Sequence, residues 1–276
     1  MRRRRYLSLL LLAATGVCTL AVLTPLVMIL YRVAREGAGA LNWTFLTHLP
    51  TPPGESGGGM GNAVVGTLEM LAVALAVGLP LGLAGALYTA ELGRERWAGV
   101  VRFAADVLTG VPTIVTGLFV YALVVVPMRR FSALAGGLAL AMILLPITLR
   151  AGEEALRAVP ASYREAALAL GASRGRMWRG VLLPAARRGL IAAALLGVMR
   201  TAGETAPLLL TSLNNSQWNL RLGRPMASLT VQIYTYATGP YDDWHQQAWA
   251  AALLLLLLVG GLGLIARWWS GRGEAA

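Results

Sequence analysis

Long apolar runs bounded by arginine leave this chain few choices of fold. Six stretches approach or exceed the roughly 20 residues that carry a helix across a hydrocarbon core: Tyr6–Tyr31, Asn62–Ala90, Phe103–Val126, Leu134–Leu149, Leu190–Leu210 and Gln247–Ala266. In lipid each backbone amide must find its partner within the chain, so uninterrupted runs of this length predict helices. The expected fold class is an all-α membrane protein with six transmembrane helices. The fourth run is the shortest and contains Pro146, while the second is long enough to tilt or to bend at Pro80. Hydrophobic residues make up 57% of the 276 and charged residues 13%, with a mean hydropathy of +0.62. A soluble domain carries about a quarter charged residues.

The net charge of +11 does not read as a nucleic-acid surface, because the arginines cluster where apolar runs end. With six spans both termini share a side. That side holds Arg2 to Arg5, Arg94, Arg96, Arg102, Arg150, Arg157, Arg164, Arg174, Arg176, Arg179, Arg187, Arg188, Arg267 and Arg272. The other side holds Arg32, Arg35, Arg129, Arg130, Arg221 and Arg224, and Arg200 stays inside a span. Positive residues mark the cytoplasmic side, so the termini and the long loop after the fourth span are expected there. Arg2 to Arg5 before an apolar run also suit a signal peptide. The run is too long for one and lacks a small-residue cleavage site, so an uncleaved first span is expected.

Several chemistries are excluded. The chain has no lysine, so it cannot contain the G-x-x-x-x-G-K-[ST] phosphate loop and is not expected to hydrolyse ATP itself. Its two histidines, His48 and His245, stand far apart, and Cys18 is its sole cysteine, so no metal site or disulfide is expected. Glu153 and Glu154 are adjacent and point apart on a helix, which predicts a solvated rim rather than paired catalytic carboxylates.

Two segments carry more specific signals. In the arginine-rich loop, Pro160 stops the preceding element, and Ser162 to Glu165 has capping-box spacing. A short helix is expected to Leu170, stopped by Gly171 in the left-handed conformation, with a second helix from Ser173 through Trp178 and Pro184 before the next span. Ala166, Ala167 and Ala169 give that first helix a low-relief surface suited to docking. The second segment is Arg200-Thr201-Ala202-Gly203-Glu204-Thr205-Ala206-Pro207, within the fifth span. A charge at mid-bilayer costs on the order of 2.5–3.5 kcal/mol and is tolerated facing a bundle interior or wet pathway. Arg200 and Glu204 share a helix face, and Gly203 with Pro207 weakens the helix beside them. An arginine fork suits a tetrahedral oxyanion, so Arg200 reads as a transient contact for an anion, moderated by Glu204. The other reading is an ion pair that locks two helices. Arg150 is either a guide at the inner end of the pathway or a topological anchor. Glu69 is either solvated near the surface or part of the pathway. Gly78 to Gly82 fits a small-residue packing pattern. Trp43, Phe45, Tyr241, Trp244 and Trp249 read as interfacial aromatics.

The run Glu165-Ala166-Ala167, Gly171 and Val181-Leu182-Leu183-Pro184 resembles the EAA loop of bacterial ABC importer permeases. The resemblance implies a type I importer permease (MetI-like) fold, with Glu165, Ala166, Ala167, Gly171, Leu183 and Pro184 coupling to an ATPase on another chain. Gly203 to Leu209 resembles the permeases of phosphate importers. So do Thr51-Pro52-Pro53 with Gly57-Gly58-Gly59, Pro112 to Val115 with Gly117 to Tyr121, and Trp244 to Ala250, most of all those of the PstA family. That family implies inorganic phosphate as cargo, Arg200, Glu204 and Arg150 along the pathway, and alternating access. It also implies a related second permease (PstC-like) in a heterodimer, two copies of an ATP-binding subunit (PstB-like) and a periplasmic phosphate-binding protein (PstS-like). ATP and magnesium would sit on the ATPase, with no cofactor bound here. The expected division is a first helix and outer loop over 1–61, a permease core over 62–266 with its coupling loop at 150–188, and a cytoplasmic tail over 267–276. Other small oxyanions such as sulfate or molybdate, or a stand-alone secondary transporter, remain open as alternatives.

Overall fold

The computed structural model describes residues 2–52, 55 and 57–271, and every regular element among them is helical. In chain order these are α1 (Arg2–Ala40), α2 (Trp43–Thr47), α3 (Gly61–Leu92), α4 (Glu95–Gly110), α5 (Thr113–Met128) and α6 (Ala133–Arg157). They are followed by α7 (Ala161–Ala169), α8 (Arg174–Ala202), α9 (Ala206–Thr211), α10 (Leu229–Ala237) and α11 (Asp242–Gly271). Five are long and apolar enough to cross a membrane, or six if α4 and α5 form one bent crossing. Pro53 and Arg272, with the end of the tail, lie outside the described residues.

The centre of the bundle is α6, packed against α3 through small residues. A Cβ added at Gly78 would lie 2.8 Å from the Ala141 carbonyl oxygen, and one at Gly82 2.8 Å from Thr148 Cβ. The Gly78 to Gly82 pattern is thus a close backbone contact. Met70, Leu71 and Ala74 of α3, Leu140 and Leu144 of α6, and Val198 and Ala202 of α8 form the main core. A second core at the Gly61 end joins Phe45, Met60, Leu229, Tyr236 and Ala248. A third at the opposite end joins Leu156, Val159, Ala167, Met177 and Leu182. By contrast, α1 buries none of its apolar stretch and meets the bundle near Gly37 and Arg32, against Trp249 of α11.

Several expected boundaries shift for identifiable reasons. The third span is not one helix from Phe103 to Val126, because α4 and α5 meet at 104°. Pro112 offers no N–H and disfavours helical torsions in the residue before it, and Val111 is extended (φ −71°, ψ 131°). Pro146 does not stop the fourth span, and α6 runs on to Arg157, past the expected end at Leu149. Likewise α3 continues through Pro80. The fifth span is two helices, α8 and α9. The helix that begins at Arg174 does not end at Trp178 but continues into the membrane to Ala202. Phe45 belongs to the core, 2% exposed, whereas Trp43 is exposed, so only the latter suits an interfacial belt.

Three turns are wound as π-helix: Tyr88–Leu92, Tyr121–Val125 and Trp178–Leu182. The last two come just before Pro127 and Pro184, whose rings would clash with the carbonyl four residues back in a regular helix. The loop between α9 and α10 supplies acceptors for the otherwise unpaired first amides of α6: Ala133 N–H donates to Arg224 O (3.0 Å) and Leu134 N–H to Leu222 O (2.8 Å).

Candidate functional site

The break between α8 and α9 places charge inside the bundle. At the end of α8, Glu204 N–H turns back to Thr201 O (3.1 Å), and Ala206 then starts α9. Pro207 occupies the first turn of this new helix, where its missing donor costs nothing. The expected weakening at Gly203 and Pro207 is therefore a complete break. Arg200 and Glu204 still form an ion pair across it, with 57% of the arginine side chain exposed and 9% of the glutamate. Thr230 of α10 donates its hydroxyl to the Glu204 carbonyl (3.0 Å). Pro207 packs on α5, where a Cβ at Gly117 would lie 2.6 Å from Pro207 Cα. The neighbouring segments therefore fix the break, and Glu204 anchors one side of a guanidinium that is open on the other.

The second constellation lies around α7. Its start is capped by Pro160 without a side-chain bond, so Ser162 sits inside the first turn rather than at the cap. The end matches expectation. Gly171 adopts φ +79°, Gly171 N–H donates to Leu168 O (2.9 Å) and Ala172 N–H to Ala167 O (3.1 Å), the Schellman arrangement. Ala167 is buried while Glu165 and Ala166 are exposed, which leaves the acidic residue on an open face. Leu183 and Pro184 begin the regular part of α8 after its π turn, with Leu182 buried against the bundle.

Arg150 does not stand near Arg200 in any described contact. It donates to Asp106 of α4 (2.9 Å) and to Glu153 (3.1 Å). Glu153 is not a solvated rim residue. It is 2% exposed and also pairs with Arg102 of α4 (2.5 Å) and Arg157 (2.8 Å). The signal for part of this was present, since Arg150, Glu153 and Arg157 are spaced to share a helix face. Arg102 and Asp106 arrive only through the packing of α4. Arg164, just before Glu165, was also missed as a structural anchor: it reaches Glu91 (2.7 Å) and the carbonyls of Val159 and Leu156 (2.7 and 2.8 Å). Glu69 is half-buried beside a groove lined by Val73, Leu220 and Leu222, and its Oε2 has no hydrogen-bond partner. Among the described residues no cluster of His, Cys, Asp and Glu is arranged to hold a metal ion.

The family model described as "Binding-protein-dependent transport system inner membrane component" matches residues 78–272, and the chain is a multi-pass inner-membrane protein of that class. Solved structures agree at the level of fold. The inward-facing MetNI methionine ABC transporter (native crystal form) superposes with a TM-score of 0.60 over 75% of this chain and 94% of that one, at 22% identity. An amino acid ABC transporter determined with histidines gives 0.59 over 77% and 92%, at 19%. Within the class the chain belongs to the PstA family. It is 43% identical to the phosphate transport system permease protein PstA of Yersinia pestis over 243 residues, 88% of this chain and 82% of that one. It is 38% identical to PstA 1 of Mycobacterium tuberculosis H37Rv over 249 residues, 88% and 81% respectively.

Proposed function

We propose that this chain is a permease subunit of an ATP-driven importer and moves inorganic phosphate across the cytoplasmic membrane by alternating access. The observation that carries the cargo is Arg200 at the helix break, a half-open guanidinium held by a buried carboxylate, in a chain of the phosphate-permease family. An arginine fork offers a tetrahedral oxyanion charge and paired donors together. Glu204 competes for the same donors, so the anion is held briefly and released. Arg150, shared between Asp106 and Glu153, serves as a later contact toward the inner side.

Energy enters from outside the chain. The exposed face with Glu165 and Ala166, stopped by Gly171 and followed by Leu183 and Pro184, docks a partner ATPase that carries ATP and magnesium. The full assembly has a second, PstC-like permease, two PstB-like ATPases and a PstS-like binding protein on the outer face. The arginine distribution supports a topology with both termini and α7 on the cytoplasmic side. The first helix with its loop, the core over 62–266 with its coupling loop at 150–188, and the tail divide the chain by role.

Radiolabelled phosphate uptake in phosphate-starved cells with and without the chain tests this, with sulfate as competitor. The expected result is loss of ATP-dependent uptake that sulfate does not inhibit. Undiminished uptake in cells lacking another such importer rejects phosphate as the cargo.

A further inference from the structure

The ion pairs at the α7 end form a continuous series that runs from one helix to the next. Arg164 of α7 meets Glu91 through Nε and Nη2, both at 2.7 Å, with its other contacts on Leu156 at the end of α6 and Val159 just beyond it. Glu91 lies in the π-wound last turn of α3, and its side chain is 10% exposed. Thr89 is in the same turn. Its carbonyl is among the last four of the helix, which have no donor above them, and it accepts from Arg102 Nη2 at 2.7 Å. Arg102 then holds Glu153 of α6, and Arg150 ties Glu153 back to Asp106, one turn further along α4. That helix ends at the 104° bend, beyond which Gly117 of α5 rests on Pro207, three residues after Glu204. Apart from Arg150–Asp106, where both side chains are partly open to solvent, each link is a charged group with little or no water around at least one partner, or a backbone contact that a single methyl would overfill.

We propose that Glu91 and Arg102 are positioning residues that carry the displacement of α7 through the π turn into α4, and through the bent α4–α5 pair to the Arg200–Glu204 break. This rests on the reading of α7 as the docking helix. The π turn is suited to the task, because one short stretch receives Arg164 on a side chain and Arg102 on a carbonyl. A movement of α7 pulls on both at once. Glu153 keeps Arg102 from following solvent instead, since the buried carboxylate is held by three arginines.

The test is phosphate moved per ATP hydrolysed, in proteoliposomes holding the complete importer. Glu91→Gln and Arg102→Gln are each expected to lower that ratio by about two- to thirtyfold, the range for residues along a coupling network, while hydrolysis stays within about twofold. The double variant falls no lower than the lower single, because the two act in series. The conservative Glu91→Asp recovers most of the ratio. If the glutamine variants fail to assemble, the cycle is run with Glu91→Ala and Arg102→Lys, since lysine cannot reach Glu153 and the Thr89 carbonyl together and should lower the ratio. Unchanged ratios in the single variants, or losses that multiply in the double, overturn the linkage. If the unaltered importer moves no phosphate with ATP, the proposed function fails instead, and the two failures are distinct.

Discussion

Arg200 and Glu204 divide one ion pair unevenly. The carboxylate is sunk in the bundle and the guanidinium is mostly open, so removing either has a different effect. Arg200→Ala removes the cation paired with Glu204 and forfeits a charge-assisted bond of about 1.5–3 kcal/mol, roughly ten- to hundredfold in uptake. Membrane levels of the variant should equal the parent, and wild-type uptake would remove Arg200 from the pathway. Glu204→Gln frees the arginine for the anion. Its signature is a lower KM with a lower kcat, read from initial rates of uptake. The charge pair was legible at residue level because arginine and glutamate are rare within an apolar run. Glu153 was not, since burial by α4 depends on a bend that no local pattern describes.

At the scale of elements, glycine decides two contacts. Gly171 has open space around it, so a substitution is limited by conformation alone, its φ of +79° costing a larger residue about 1–2 kcal/mol. Gly171→Val should distort the end of α7 and lower phosphate uptake while ATP hydrolysis by the complex persists. Equal loss of both would instead indicate failed assembly. Gly82 is the opposite case, with normal torsions and no room, its added Cβ already 2.8 Å from Thr148. Gly82→Leu overpacks α3 on α6 by about 1–3 kcal/mol and should lower the Tm of the chain in detergent. The membrane helices were readable from hydropathy, and the stop at Gly171 from the conformational freedom of a glycine at a helix end. Boundaries at proline were harder. Pro146 and Pro80 are absorbed within continuous helices, whereas Pro112 breaks the chain because Val111 before it turns extended. The same residue type gives opposite outcomes, depending on whether neighbouring helices hold the backbone straight.

Across the whole molecule, the arginine asymmetry predicts which end faces which compartment. Cys18 is exposed, in a helix that touches the bundle only near its far end, so Cys18→Ser should be silent for uptake. On that background a cysteine at Ala166 should react with impermeant reagents only from the cytoplasmic side, and one at Trp218 only from outside. Labelling in the reverse sense would invert the topology. The two ends are also related by helical phase. α8 joins the docking region to the break, and its π turn at Trp178–Leu182 holds one residue more than a regular turn. Each residue rotates the rest of its helix by about 100°. That single extra residue therefore sets the angle between the surface that receives an ATPase and the side on which Arg200 opens. Deleting Ala194 would keep every functional side chain yet swing Arg200 by about 100° away from the gap beside α9. The chain should still insert, and its uptake should vanish. Composition can drift along such a helix, but its length cannot.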